Sequence, residues 1–139
     1  MIRIHATCIA VAGRGVLLAG ASGAGKSDLA LRMIDRGAQL VSDDYTELEV
    51  RNTVLFASPP ALLRGKIEVR GLGIQTMDFA VDVPVALFIA LDEAPARLPQ
   101  DAAYEVLLGI EVRKYALAGL EPSAPIKLEL MLAQRAKEH

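Results

Sequence analysis

The sequence has no tryptophan, and aromatic residues make up only 4% of it. A stacking platform for single-stranded nucleic acid needs aromatic faces, so that class has little to build on. Positive charge is not in surplus either: 15 Lys and Arg stand against 17 Asp and Glu, a net charge of −2. A duplex-DNA reader is usually basic, so nucleic acid is not expected as a partner. Cys8 is the only cysteine. That excludes an internal disulfide and any zinc site built from several cysteines, and it suits a reducing compartment. Long apolar runs are missing too. The longest beyond residue 20 is 83–91, broken by Pro84, and it is too short to span a bilayer. Residues 1–20 superficially resemble a signal peptide, but Arg14 interrupts them and a glycine loop follows in place of a cleavage site. A cytoplasmic protein with no membrane contact is expected.

What remains is a chain of 139 residues, 53% hydrophobic and 23% charged, which is the composition of a folded domain. One domain over 1–139 is expected, long enough to bury roughly two-thirds of its unfolded surface. Residues 2–11 and 16–19 read as strands around a Gly13-Arg14-Gly15 turn, the second wholly apolar and so buried on both faces. After a loop over 20–27, Leu29, Ala30, Met33 and Ile34 mark a helix ending near Arg36, with Gly37 as its cap. Strands are expected at 39–41, 47–56 (one or two, antiparallel), 66–70, 83–91 and 110–117, with a loop over 92–100. Ser123 is placed to cap a last helix, with Pro125 in its first turn, running to about Lys137. Many strands and few helices point to a mixed α/β core with a strand-rich sheet rather than regular βαβ alternation.

The chemistry starts at Gly20-Ala21-Ser22-Gly23-Ala24-Gly25-Lys26-Ser27, which satisfies G-x-x-x-x-G-K-S/T between an expected strand and an expected helix. Glycines let successive main-chain N–H groups turn inward as an anion nest, and the helix start adds positive potential behind them. Lys26 reaches terminal phosphates, and the Ser27 hydroxyl suits a magnesium ion. A plain glycine-rich turn is the alternative, and the flanking elements argue against it. Asp43 and Asp44 close the next strand, where acids beside a phosphate loop belong. Neighbouring strand residues face opposite ways, so the two carboxylates should differ in work: one for Mg²⁺, the other for the attacking group. Asp28 follows Ser27 and either favours the helix dipole or reaches the metal through water. His5, alone on the first strand, matters if that strand brings it to Asp43, where it would change the carboxylate's proton affinity. Cys8 reads as a small core residue.

The stretch from Gly20 through Asp44, the later Glu68-Val69-Arg70-Gly71-Leu72-Gly73-Ile74, and the histidine ahead of the loop resemble the catalytic domain of HPr kinase/phosphorylase over about 5–74. Generic phosphate-loop proteins lack the Arg-Gly-Leu-Gly-Ile segment. The resemblance implies a core like that of phosphoenolpyruvate carboxykinase in a hexamer, and control of the phosphotransferase system. It implies ATP- and Mg²⁺-dependent phosphorylation of a serine on the phosphocarrier protein HPr. It also implies removal of that phosphate by inorganic phosphate, releasing pyrophosphate. Asp43 would be the catalytic aspartate with His5 beside it. Lys26 and Ser27 would hold phosphates and metal, Asp28 and Asp44 would lie near the metal, and Arg97 would supply a phosphate-stabilising arginine. Arg70 would lie near the phosphate or a subunit interface.

Four departures from the family pattern stand out. The family's usual N-terminal domain is not expected here, so the chain resembles a short form. Asp28 replaces a glutamate. Leu120-Glu121-Pro122-Ser123-Ala124-Pro125 replaces a basic stretch, and the segment between Ile74 and Asp82 is short. Two other functions stay open on the residues alone: a phosphate-loop kinase or triphosphatase with another substrate, and a nucleotide-sensing module with little or no catalysis.

Overall fold

The structure, a computed structural model, describes residues 1–98 and 101–138. Its frame is set by strands that are apolar on both faces. Val16, Leu17 and Leu18 in β3 (Arg14–Ala19) have no exposed surface. Alternation sends Val16 and Leu18 to one side and Leu17 to the other. The same split places Ile9 apart from Cys8 and Ala10 in β2 (Ala6–Val11). In β9 (Val83–Ala90) alternation separates Leu87 and Ile89 from Phe88, and a register shift against β3 between Gly15 and Val16 leaves Val83 and Val85 on the Phe88 side. Two cores result, one on each side of a shared sheet.

The remaining strands are β1 (Ile2–Ile4), β4 (Gln39–Ser42), β5 (Thr46–Arg51), β6 (Val54–Ser58), β10 (Ala103–Leu107) and β11 (Ile110–Ala116). The main path through the sheet is β1-β5-β6-β9-β3-β2-β4. β11 pairs parallel with β9, and β10 pairs antiparallel with β11. A separate hairpin joins β7 (Lys66–Val69) to β8 (Gly73–Thr76). Helices α1 (Lys26–Asp35) and α2 (Ala124–Lys137) cover one face of the sheet. They bury Leu29, Ala30, Met33, Leu128 and Leu132 against Ile9, Leu18 and Ile89. No helix among the described residues is long and apolar enough to cross a membrane.

Direction decides where a site can form. β3 and β9 are parallel, β9 and β11 are parallel, and β2 is antiparallel to both β3 and β4. So β3, β4, β9 and β11 all run the same way, and the segments leaving their carboxyl ends gather at one edge. Ligands of open α/β sheets bind at that edge.

The expected elements are present, with several differences, among them the strand β8, which the sequence reading did not include. Residues 2–11 are two strands divided at His5, because Ile2–Ile4 pairs with β5 and Ala6–Val11 pairs with β3 and β4. β10 lies in a stretch to which the sequence reading gave no element; Tyr104 and Val106 on it are exposed, so it lacks a clear buried face. Ser123 occupies the cap position of α2, but its side chain makes no capping bond. Of the expected loop over 92–100, Pro99 and Gln100 lie outside the described residues. Cys8 is a fully buried core residue, and burial, only partly offset by a hydrogen bond with the Val16 backbone, pushes its thiol up to about 12.

Leu18 lies at the centre of the α-helical side of the sheet. Leu18→Ala is expected to lower unfolding free energy by about 2–5 kcal/mol in urea titration; a change within error would place the core elsewhere. Cys8 should resist thiol reagents at mildly alkaline pH until the chain unfolds, and prompt labelling of folded protein would contradict its burial.

Candidate active site

The loop between β3 and α1 wraps as the glycines permit. Gly25 has φ +95°, a conformation that favours glycine, and its Cα lies against the end of the Leu120 side chain. The Ala24 N–H donates to Ala21 O at 3.0 Å, and the Leu29 N–H to Gly25 O at 2.9 Å, which starts the helix. The helix carries no side-chain cap, so its first N–H groups are left for a ligand. Lys26 is only 7% exposed. Its ammonium donates to Gly20 O at 2.8 Å and Ala21 O at 3.2 Å, closing the loop on itself.

Facing the loop, Asp43 leaves the end of β4 and is buried. Its Oδ1 accepts the Ser27 hydroxyl at 2.6 Å and the Thr7 hydroxyl at 3.0 Å, and its Oδ2 accepts the Glu68 N–H at 3.0 Å. A charged acceptor with three donors is held firmly, each bond being worth roughly 1.5–3 kcal/mol. One side chain thereby ties α1, β2 and β7 to the end of β4. Thr7 also accepts the Asp44 N–H at 3.1 Å, which fixes the turn in which Asp44 takes φ +71°.

That turn points Asp44 outward, as neighbouring carboxylates with different work require. It is Asp44, not Asp43, that meets His5, with Nε2 and Oδ1 2.8 Å apart and both side chains well exposed. The His5 ring lies beside Tyr45, the centroids 5.1 Å apart. The reason is register: His5 falls between β1 and β2, beyond the end of the ladder that brings Cys8 opposite Ser42.

Two other expected residues are placed differently. Asp28 does not join Ser27 and Asp43. Its carboxylate accepts Arg32 Nε at 2.9 Å, four residues along α1. Arg97 is exposed and lines a cavity of about 640 Å³ between the 93–104 segment and α2, in which the phosphate loop takes no part. Arg70 is exposed beside the β7–β8 turn.

Several contributors are not evident from sequence alone. Thr7 is a buried polar residue in an apolar strand, the one signal it offers. Asp92, leaving β9, accepts the Ala21 N–H through Oδ2 at 3.2 Å and so holds the leading end of the loop. Arg32 donates to Glu121 O at 3.0 Å and also to Gly119 O, binding the segment after β11 to α1.

The site thus joins an anion cradle of amides, a lysine and a hydroxyl to a buried carboxylate. Ser27 and Asp43 present hard oxygen atoms side by side, the donor set magnesium prefers. No group of three or more His, Cys, Asp or Glu that could hold a metal exists among the described residues. A cation here would therefore need phosphate oxygens to complete its shell, which is the usual manner for Mg²⁺.

Comparison with known proteins shows which family this fold belongs to. Residues 1–124 match the model of the HPr Serine kinase C-terminal domain, a likeness reaching well past Ile74. The chain is 36% identical over 128 residues to HPr kinase/phosphorylase of Leptothrix cholodnii, covering 82% of this chain and 39% of that protein. It is 37% identical over 130 residues to that of Aromatoleum aromaticum, covering 84% and 42%. It therefore spans about two-fifths of these curated relatives. The solved Hpr(Ser) kinase/phosphatase of Coxiella burnetii superposes with a TM-score of 0.85 at 28% identity, covering 99% of this chain and 92% of that one. The family model covers most of the chain, and the fold is shared over nearly its whole length: the chain belongs to the HPr serine kinase C-terminal domain family.

Proposed function

We propose that this chain transfers the terminal phosphoryl group of ATP to a serine hydroxyl of a protein, with HPr, named in its relatives, as the substrate. In the opposite direction inorganic phosphate attacks the phosphoserine, giving serine and pyrophosphate. The observation that carries this reading is the approach of a buried carboxylate to the phosphate loop, with Asp43 accepting the Ser27 hydroxyl at 2.6 Å. Phosphoryl transfer asks a protein mainly to position the reactants and to stabilise charge.

Lys26 now satisfies two loop carbonyls, and would exchange them for phosphate oxygens without leaving its place. Ser27 and Asp43 are the residues to hold Mg²⁺, directly or through water. Bound there, the ion would neutralise charge on the bridging phosphates. Asp43 is our choice for proton acceptor. It already accepts hydrogen bonds from two hydroxyls, that of Ser27 at the end of the loop and that of Thr7 on β2. When phosphate is removed from the serine, the same carboxylate returns the proton.

A second assignment rests on the Asp44–His5 contact. That carboxylate is open to solvent and within reach of an incoming protein, and the imidazole beside it could hold or pass on a proton. The two assignments separate in phosphate-transfer assays with HPr, ATP and Mg²⁺. Asp43→Asn should cut transfer about 10²-fold or more while nucleotide still binds, and Asp44→Asn should mainly shift the pH profile. The opposite pattern gives the proton to Asp44. Nucleotide binding by wild-type protein, with no transfer to HPr, would support a sensing module.

Lys26→Ala should lose ATP affinity and transfer rate together, both measurable by calorimetry and initial rates. Unchanged turnover in that variant would remove Lys26 from the chemistry.

A further inference from the structure

Strand β2 reads Ala-Thr-Cys-Ile-Ala-Val, and Thr7 carries its one hydroxyl. Thr7 has no exposed surface. A valine would fill the same volume, suit a strand equally well, and spare the cost of burying a hydroxyl. Packing alone therefore gives no reason for threonine here. Its bonds do.

The hydroxyl has a single proton, and the geometry decides where it goes. The Asp44 N–H approaches Thr7 Oγ1 at 3.1 Å, and an amide only donates, so the oxygen is the acceptor of that bond. The hydroxyl proton is then free for Asp43 Oδ1, 3.0 Å away. One oxygen atom thus links the main chain of exposed Asp44 to the side chain of buried Asp43. The turn needs such a hold, because Asp44 at φ +71° adopts a conformation that residues other than glycine rarely take. Within the turn, the Tyr45 N–H donates to Asp43 O at 2.8 Å and the Ser42 hydroxyl to Tyr45 O. Thr7 holds it from the neighbouring strand.

The other donors to Asp43 leave Thr7 a distinct task. Ser27 sits on the phosphate loop, so its hydroxyl moves with whatever ligand the loop holds. Thr7 lies inside the sheet, between β3 and β4, and its place does not depend on a ligand. The Glu68 N–H fixes Oδ2 at 3.0 Å. Thr7 on one oxygen and Glu68 on the other set the plane of the carboxylate before any substrate arrives. Phosphoryl transfer relies on such preset geometry.

We propose that Thr7 is a positioning residue for the transfer: its hydroxyl orients the Asp43 carboxylate at the end of the phosphate loop and pins the Asp44 turn beside it. It acts through Asp43 and touches neither nucleotide nor serine. The inference rests on Asp43 as the proton acceptor, and adds what keeps that acceptor aimed.

Substitutions at position 7, assayed with HPr, ATP and Mg²⁺, test it. Thr7→Val keeps the volume and loses the hydroxyl; Thr7→Ser keeps the hydroxyl and loses a methyl. A packing role ranks the valine variant above the serine variant, and a positioning role ranks them the other way. Thr7→Val should lower kcat about tenfold to a hundredfold, with KM for ATP within about twofold of wild type, and Thr7→Ser should recover most of the lost rate. Urea titration checks that each variant is folded. If Thr7→Val is not, Thr7→Ala against Thr7→Ser makes the same comparison, since those two differ only in the hydroxyl. Wild-type kcat in Thr7→Val, a serine variant as slow as the variants lacking the hydroxyl, or a loss confined to KM for ATP would each overturn the role of Thr7. Asp43→Asn in the same assay separates the two readings. If it loses transfer while Thr7→Val does not, only Thr7 falls. If Asp43→Asn keeps the full rate, or wild-type protein transfers nothing to HPr, the reading of Asp43 falls and that of Thr7 with it.

Discussion

The Asp43 carboxylate is the point on which the site turns. It is a buried charge, and a buried charge is tolerable only when its lone pairs are used. Here the Ser27 and Thr7 hydroxyls and the Glu68 amide use them. These donors belong to α1, β2 and β7, so satisfying one side chain sets the distance between the phosphate loop, the sheet and the β7–β8 hairpin. The Arg-Gly-Leu-Gly-Ile segment runs from the end of β7 into β8, and the bond to Glu68 N–H connects its hairpin to the chemistry through main chain. Substitution at Asp43 therefore acts on charge and on geometry together, which is why the pH profile is needed beside the rate.

Much of this was legible in the sequence because it is local. The glycine loop, its lysine and serine, and the helix behind them are neighbours along the chain, and the pattern of eight residues carries their conformation. The aspartate pair was legible as a strand end followed by acids. Partners across the sheet were not. His5 meets Asp44 because the strand breaks between β1 and β2, and no periodicity within 2–11 marks that break. Thr7 reaches Asp43 only because β2 lies next to β4 in the sheet. Arg32 carries no signal of its own in the sequence; its carbonyl partners follow β11, far away in sequence. β10 was missed because its side chains are largely exposed and give no hydrophobic alternation to read.

The basic stretch that the family resemblance led one to expect before the last helix is replaced here by Leu120 to Pro125. In the structure that replacement forms an apolar wall instead of a charged one. Positive charge at this edge is supplied from α1 by Arg32, which spends it on main-chain carbonyls and not on a phosphate. The same carboxyl edge of the sheet thus divides into a charged half, with Lys26, Ser27 and the aspartates, and an apolar half behind Ala24 and Gly25.

The most direct test of the central claim is a crystal structure with a non-hydrolysable ATP analogue and Mg²⁺. The account predicts that Lys26 Nζ leaves the Gly20 and Ala21 carbonyls for phosphate oxygens, with Ser27 Oγ on the metal and Asp43 facing the terminal phosphorus. Triphosphate bound away from residues 20–27, or Lys26 still closing the loop on itself beside it, would contradict the account.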